Sequence, residues 1–303
     1  MDILEIMRRW PTQEAAFAHL ERVRWGSRPI CPYCGSDKVC PHASKDKKIP
    51  RWQCQSCHSA FSATVGTIFH HTHLPLPTWF LALAIMLNAK KNISNAQLAR
   101  DLDLPYKTAW SLALRIRQAM LTDPAQNRLF HGIVEMDETY VGGKPRKGNI
   151  GSGGQNGGNK RKRGRGTDKM PVVGIVERNG RAIAKKVAKD GLSSRCLSDF
   201  FVKHVDAPSS IVMTDEYKGY RGLKAITDHY AINHKTAYVI GDTHINTIEG
   251  FWASIKRSWY GQHHHFSDKW ANHYISEVTF KYNNRSNDNT FGYLMRHMVG
   301  GVV

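Results

Sequence analysis

The sequence predicts a multidomain protein with an N-terminal cysteine-rich ribbon, a helical segment with a helix-turn-helix-like pattern, and a mixed α/β domain. Four of the six cysteines fall in two Cys-x-x-Cys pairs within a turn-rich, basic stretch. Apolar residues then return at helical spacing from Leu76 to Leu121. From Gly132 onward, β-rich runs alternate with helical patterns, which begin after Ser193, Ile245 and Trp270. The β-rich runs are Ile133 to Val141, Val172 to Arg178, Ala182 to Ala188 and Ile211 to Thr214. The predicted boundaries are 1–65 for the ribbon region, 66–125 for the helical segment and 130–303 for the α/β domain.

Composition favours a folded protein outside membranes. The chain has 303 residues, 41% of them hydrophobic, which is enough for about two domains with cores of their own. The longest apolar run, Trp79 to Leu87, is much shorter than the ~18 residues that a membrane-spanning helix needs. The N-terminus carries Asp2 and Glu5 and does not resemble a secretory leader. We therefore expect a soluble, unexported, cytoplasmic protein.

The charge balance indicates a polyanionic partner. Lysine and arginine number 43 and aspartate and glutamate 25, giving a formal net charge of +18. A Gly- and Asn-rich basic segment, residues 142–169, concentrates part of this charge, and we expect it to contact phosphates. Its cations are Lys144, Arg146, Lys147, Lys160, Arg161, Lys162, Arg163 and Arg165.

The cysteine spacing predicts a structural zinc site. Cys31 and Cys34 form one pair, and Cys54 and Cys57 form the second after nineteen intervening residues. Each pair brings two sulfurs to one tight turn, and four thiolates complete a tetrahedral site with no open position for chemistry. A segment with so few apolar residues needs such a metal to fold.

Other interpretations of the cysteines and their neighbours remain open. The four cysteines fit a redox pair or ordinary buried thiols less well, because a redox motif needs only one pair. Cys40, His42 and His58 lie close enough in sequence to substitute as ligands, and Cys196 lies in a helical pattern typical of a core residue. Paired cysteines used for metal favour a reducing compartment.

The helical segment contains a helix-turn-helix pattern. Ser94 and Gln97 form a capping box, and Pro105 suits the first turn of a second helix. That helix offers candidates for groove and phosphate contacts, which are Lys107, Thr108, Arg115 and Arg117. The alternative is a helical hairpin that only links two domains.

Three acidic residues are candidates for a catalytic metal site. Asp137 lies inside the first β run, Asp215 directly follows the apolar strand 211–214, and Glu249 lies in a helical run. Carboxylate oxygens from two strands and one helix suit magnesium or manganese, and two such ions can assist attack on a phosphodiester.

Each of these acids also has an ordinary alternative role. An aspartate after a strand often caps a turn, and Glu249 has helical spacing for an ion pair with Arg257. Glu135, Glu138 and Glu216 compete for the same metal-binding roles.

Taken together, these motifs resemble the DDE transposases of bacterial insertion sequences, in particular the ISXO-type group with an N-terminal zinc ribbon. The resemblance covers nearly the whole chain. Its motifs are the cysteine pairs, Gly66-Thr67-Ile68-Phe69, His73-Leu74-Pro75-Leu76, the run from Met136 to Gly143, Thr214-Asp215, the run from His244 to Trp252, and Lys256-Arg257.

The resemblance implies an RNase H-like catalytic domain with Asp137, Asp215 and Glu249 as its acidic triad. It further implies a divalent metal pair, magnesium or manganese, and a DNA contact by Lys256 near the scissile phosphate. The neighbouring Arg257 is a further DNA-binding candidate. The expected function is transposition by metal-dependent DNA cleavage and strand transfer. The expected partners are double-stranded DNA of the element's terminal repeats and target, with a homo-oligomer on DNA at the nucleoid.

Two other functions fit the same residues. A non-catalytic DNA-binding regulator derived from a transposase would keep the fold and the charge, but an intact acidic triad argues against it. A structure-selective nuclease would differ only in its product.

Overall fold

The computed structural model describes residues 2–43, 49–143, 167–232 and 244–300, and these form two compact units. The first unit comprises the chain up to Asp123 together with the chain from Asn284 onward, and the second comprises Pro124–Asn283. Most of the basic segment, including Lys160, Arg161, Lys162, Arg163 and Arg165, lies outside the described residues.

The first unit is a set of helices with a small antiparallel sheet. The helices are α1 (Ile3–Arg9), α2 (Gln13–Trp25), α3 (Leu76–Asn88), α4 (Asn95–Asp101), α5 (Tyr106–Leu121) and α9 (Thr290–Val299). The strands are β1 (Val39–His42), β2 (Arg51–Cys54) and β3 (Ala60–Phe61), in the order β1-β2-β3. Side chains of Asp2, Thr12 and Ser94 accept backbone N–H bonds at the starts of α1, α2 and α4, which explains where these helices begin.

Helices α4 and α5 follow one another across a short turn, as the helix-turn-helix-like pattern predicts. Gln97 donates its backbone N–H to Ser94 Oγ at 3.1 Å, as the capping box predicts. Asp103 adopts a φ of +50° in the turn, and α5 begins directly after Pro105.

The second unit is a mixed α/β domain around one five-stranded sheet, which confirms the α/β prediction. Its strands are β4 (Phe130–Val141), β5 (Met170–Glu177), β6 (Ala182–Lys186), β7 (Val205–Asp215) and β8 (Asp228–Ile232). The order is β6-β5-β4-β7-β8. Strands β4 to β6 pair antiparallel, whereas β7 runs parallel to both β4 and β8.

Helices cover both faces of this sheet. They are α6 (Ser194–His204), α7 (Asn246–Ser258) and α8 (Ala271–Asn283), with a π-helical turn at Trp259–His263. Alternation along β4 divides the core: Val134 and Met136 pack with α6, while Val141 packs with α7 and α8. The centre of the sheet is therefore buried, and a polar side chain in mid-strand needs a partner.

The last helix, α9, belongs to the first unit. Phe291 stacks on Trp10 with ring centroids 5.6 Å apart, and Tyr293 Oη donates to Asp123 Oδ1 at 2.5 Å. The sequence-based boundary extended the catalytic domain to 303, whereas the second unit ends at Asn283. The difference arises because α9 buries its apolar side against helices from the other end of the chain. No described helix is long and apolar enough to cross a membrane.

Candidate functional site

Four cysteine sulfurs converge in the ribbon. Cys31 Sγ lies 3.6 Å from Cys57 Sγ, and Cys34 Sγ lies 3.5 Å from Cys54 Sγ. Thiolates about 2.3 Å from a tetrahedral zinc lie about 3.8 Å apart, so this donor set fits a structural zinc. In the part of the chain that the structure describes, Cys40, His42 and His58 do not join this cluster.

The ribbon supplies its own apolar cover for the four sulfurs. Phe61 is fully buried beside Cys31 and Cys54, and Trp52 pairs with Phe61 across the β2–β3 ladder. Trp52 Nε1 also donates to Glu21 Oε1 at 2.8 Å. Phe61 and Trp52 therefore belong to the apolar cluster that covers the cysteines.

A second cluster lies where two parallel strands run side by side. The β4–β7 register pairs Glu135 with Met213, so Asp137 and Asp215 stand at neighbouring positions two residues further along. Carboxylate oxygens of Asp137, Glu138 and Asp215 all lie within 4.8 Å of one another. Oxygen donors of this kind suit a hard divalent cation.

The Asp137 carboxyl group has a strongly perturbed pKa. Burial, followed by the charges of Glu138 and then Asp215, raises the pKa of Asp137 to about 7. Trp252 Nε1 donates to Asp137 Oδ2 at 2.9 Å and acts in the opposite direction. A bound divalent cation would relieve the repulsion between these crowded, desolvated carboxylates.

Asp215 and Glu138 are each held by a neighbour. Tyr217 donates its backbone N–H to Asp215 Oδ1 at 2.9 Å, so Asp215 does cap a turn while facing the cluster. The fully buried Tyr220 donates its hydroxyl to Glu138 Oε2 at 2.6 Å. Burial raises the pKa of Tyr220 well above its usual value, which keeps that hydroxyl a donor. Nothing in the sequence pattern pointed to Tyr220.

Helix α7 runs alongside β4 in the same direction. Ile248 contacts Glu135, Trp252 contacts Asp137, and Tyr260, just beyond the helix, donates its hydroxyl to Gly142 O at 3.2 Å. Glu249 is exposed in the first turn of α7, three residues before Trp252. The cluster of three acids does not include Glu249.

A glycine in β5 gives α7 its close approach to the sheet. Gly174 lies opposite Asp137 in the β4–β5 ladder. A Cβ added there would come within 2.5 Å of the Trp252 ring. The absence of a side chain at Gly174 therefore leaves room for the Trp252 ring that reaches Asp137.

The predicted DNA-binding cations divide into exposed and structural ones. Lys107, Lys256 and Arg257 are exposed. Arg117 is fully buried, and it donates to Asn95 Oδ1 at 2.9 Å. Arg115 donates to the carbonyls of Ile68 and His70 at 3.2 and 3.1 Å.

The assignment of Arg117 to a DNA contact is therefore wrong, because its guanidinium ties α5 to the start of α4. Arg115 is tied to backbone carbonyls in the same way and serves to hold the 68–70 segment. Helical spacing alone gave no means of separating these two from Lys107.

Comparison with known proteins finds two family models that match this chain. The ISXO2-like transposase domain matches residues 130–283, and the transposase zinc-ribbon domain matches residues 11–60. An uncharacterised protein in transposable element ISH50 of Halobacterium salinarum is 30% identical over 257 residues, covering 80% of this chain and 82% of its own.

Two solved structures show a distant likeness. The Mos1 strand transfer complex has 13% identity and a TM-score of 0.29, covering 73% of this chain and 74% of that chain. The mariner Mos1 paired end complex with Mg has 13% identity and a TM-score of 0.28, covering 72% and 74%. The family assignment depends on the domain matches and the ISH50 relative instead.

These matches agree with the fold described above. The ISXO2-like match falls within the second unit and ends at Asn283, as that unit does. The predicted fold class, a zinc ribbon and helical segment followed by an α/β RNase H-like domain, is confirmed. The chain belongs to the DDE transposases of the ISXO2-like family that carry an N-terminal zinc ribbon.

Proposed function

We propose that this transposase binds the ends of its insertion element, hydrolyses a phosphodiester there, and joins the freed 3′-hydroxyl to target DNA. The observation that carries this proposal is the pairing of Asp137 and Asp215 on adjacent parallel strands, with carboxylate oxygens within 4.8 Å. Family membership supplies the reaction class.

The three acidic residues are proposed to hold the divalent metal for this chemistry. Magnesium or manganese, when bound, activates the attacking oxygen and stabilises the leaving oxygen of an in-line displacement. Asp137 and Asp215 are the proposed ligands from the sheet, and Glu249 is the proposed ligand from α7. Trp252 orients the Asp137 carboxylate by its 2.9 Å hydrogen bond.

Both steps use the same site. In the first, water attacks phosphorus and the 3′-oxygen of the element end leaves as a hydroxyl. In the second, that hydroxyl attacks a target phosphodiester, and a target 3′-oxygen leaves. Two element ends have to be held together for this, so we propose a homo-oligomer on DNA.

The DNA contacts are proposed to come from exposed cations. Lys256 and Arg257 lie in the last turn of α7, past the acidic cluster, and Lys107 lies at the start of α5. The basic segment 142–169 is proposed to contact phosphates without sequence preference. Deleting residues 148–166 is then expected to flatten the salt dependence of DNA binding.

Cleavage of a labelled element end in magnesium or manganese tests the catalytic assignment. Each of the variants Asp137→Ala, Asp215→Ala and Glu249→Ala should still bind element ends. Each should lower the rates of cleavage and joining by more than about 100-fold, which is the largest loss typical of a residue that only supports a metal ligand. Binding should persist because affinity comes from lysine and arginine contacts.

Glu216→Gln is the matched control, and Glu138→Gln tests the competing acid, whose loss should cost less than the loss of Asp137 if Glu249 is the third ligand. Glu216 is exposed and lies next to Asp215, and its loss should cost little. Glu138 lies in the acidic cluster, whereas Glu249 does not. If Glu138→Gln loses as much cleavage activity as Asp137→Ala while Glu249→Ala stays active, Glu138 and not Glu249 has the third acidic role. Wild-type protein that binds ends but never cuts would favour the regulator function.

A further inference from the structure

Glu135 is a buried carboxylate that the metal site does not use. It lies on β4 two residues before Asp137, and its side chain has no exposed surface. Such a group has to be paired to be tolerated in a core. Both of its oxygens are engaged by other parts of the chain.

Two of the donors to Glu135 belong to the first turn of α7. Ile248 donates its backbone N–H to Oε2 at 2.9 Å, and Thr247 donates its hydroxyl to Oε1 at 2.9 Å. Ile245, at the N-cap position, has no side chain that can accept such a bond. Glu135 therefore supplies from the sheet the cap and the negative charge that a helix N-terminus favours.

Arg178 completes the arrangement from the end of β5. Its Nε donates to Glu135 Oε1 at 2.9 Å, and its Nη2 donates to the carbonyl of His244, just before α7, at 2.9 Å. His244 Nδ1 itself lies 3.3 Å from Glu135 Oε1. Three elements, β4, β5 and the start of α7, thus meet on one carboxylate.

This contact fixes the part of α7 that carries the proposed third acid. Glu249 directly follows Ile248, and Trp252, which holds Asp137, lies one turn further on. Because Glu135 and Asp137 are on the same face of β4, the contact between Glu135 and α7 fixes the position of the helix along this strand.

We propose that Glu135 is a positioning residue, which anchors the N-terminus of α7 and so places Glu249 and Trp252 relative to Asp137. This inference rests on the proposed function. Outer-shell groups of this kind typically change metal affinity or activity by about 10–100-fold when removed.

The test compares Glu135→Gln with wild type in the full-length protein. Glutamine keeps the shape, but its amide turns a donor toward Arg178 or Thr247. We expect faster hydrogen exchange in the peptide spanning Asn246–Phe251. Manganese affinity, measured by calorimetry, should fall by about 10–100-fold, and kcat for end cleavage should fall similarly while the Kd for DNA is unchanged.

Glu277→Gln is the control for loss of a buried carboxylate. Glu277 on α8 is equally buried and pairs with Lys281 at 2.9 Å. Its substitution should lower Tm but leave manganese affinity and kcat at the wild-type level. Glu135→Gln protein with wild-type manganese affinity and kcat would overturn the proposal, whatever its Tm.

A milder pair of variants decides the matter if Glu135→Gln does not fold. Thr247→Val removes one donor and keeps the carboxylate with Arg178, and Thr247→Ser restores the hydroxyl. Weaker manganese binding in the valine variant with recovery in the serine variant supports positioning. Manganese binding at the wild-type level in the valine variant overturns it. Absence of manganese binding in wild type and Glu277→Gln alike would instead overturn the proposed function, and this inference with it.

Discussion

The proton on Asp137 links the candidate site to stability. The unfolded chain releases this proton near its ordinary pKa of 3.8, whereas the folded protein keeps it until the pKa of about 7. Between these values the folded state binds more protons than the unfolded state. Stability without divalent ions therefore falls as pH rises from about 4 to about 7, and it levels off above that.

Asp137→Asn is expected to remove this penalty. At pH 8 without added divalent ions the variant should be more stable than wild type by on the order of 1–4 kcal/mol, with the difference shrinking toward pH 4. Urea unfolding of both proteins across this range measures it, with exposed Asp228→Asn as the control. Added manganese should stabilise wild type but not Asp137→Asn. A stability difference that is the same at every pH would contradict the account.

Arg117 and Lys107 lie on the same helix, but substitution of the first should change stability and substitution of the second should change DNA binding. Arg117→Met removes the buried hydrogen bond to Asn95 Oδ1 and should lower stability by roughly 1–3 kcal/mol. Exposed Lys107→Ala should leave Tm unchanged, weaken DNA binding for all sequences and reduce the salt slope by about one. Thermal unfolding and salt-dependent DNA titrations separate the two. A reduced salt slope in folded Arg117→Met protein would return Arg117 to the DNA interface.

The candidate site shows what single residues do and do not reveal in a sequence. Asp137 was a candidate because a carboxylate inside an apolar strand is anomalous, and Asp215 because it directly follows such a strand; the structure brings their oxygens together. Tyr220 and Gly174 could not be predicted, because their roles depend on which side chain approaches from an element far along the chain. Glu135 looked like a competitor for the metal until the structure showed its oxygens bound to α7 and Arg178.

Among the elements, the ribbon is the one that we expect to depend most directly on a bound ion. Its apolar cluster consists of a few side chains around Cys31, Cys54 and Phe61, which is little core for a segment of this length. We expect one zinc per chain. Cys31→Ser or Cys54→Ser should lose zinc and unfold the ribbon.

Metal analysis with limited proteolysis of the ribbon tests this prediction. Cys40→Ser and Cys196→Ser are matched controls, because both thiols lie outside the four-sulfur cluster. Full zinc content in a Cys31→Ser, Cys54→Ser double variant would exclude the four-thiolate site.

Elements with a clear period were predictable, and those defined by packing were not. Helices α6, α7 and α8 begin where the sequence patterns place them, after Ser193, Ile245 and Trp270. Strand β8 was missed because it is mostly exposed, so its sequence lacks an apolar signal. The register between β4 and β7 was also beyond the sequence, and that register brings Asp137 beside Asp215.

At the scale of the whole molecule, the chain returns to its first unit after building the second. The fully buried or nearly buried side chains of α9 are Phe291, Leu294, Met295, Met298 and Val299. Phe291 packs between the rings of Trp10 and Phe80, at 5.6 and 6.2 Å. Sequence order alone assigned this helix to the catalytic domain, because no local pattern records partners more than 200 residues away, from Trp10 and Phe80 to Phe291.

The first unit should therefore depend on the end of the chain for its stability. Phe291→Ala removes a buried ring and should cost the first unit about 3–5 kcal/mol. Ending the chain after Asn283 should leave α1 and α3 open to protease. Thermal unfolding and limited proteolysis with identification of the cut sites measure both effects. The control is Val202→Ala on α6, which is 55% exposed and should change stability by less than about 0.5 kcal/mol. If the truncated chain keeps α1 and α3 as protected as in wild type, α9 is dispensable for the stability of the first unit.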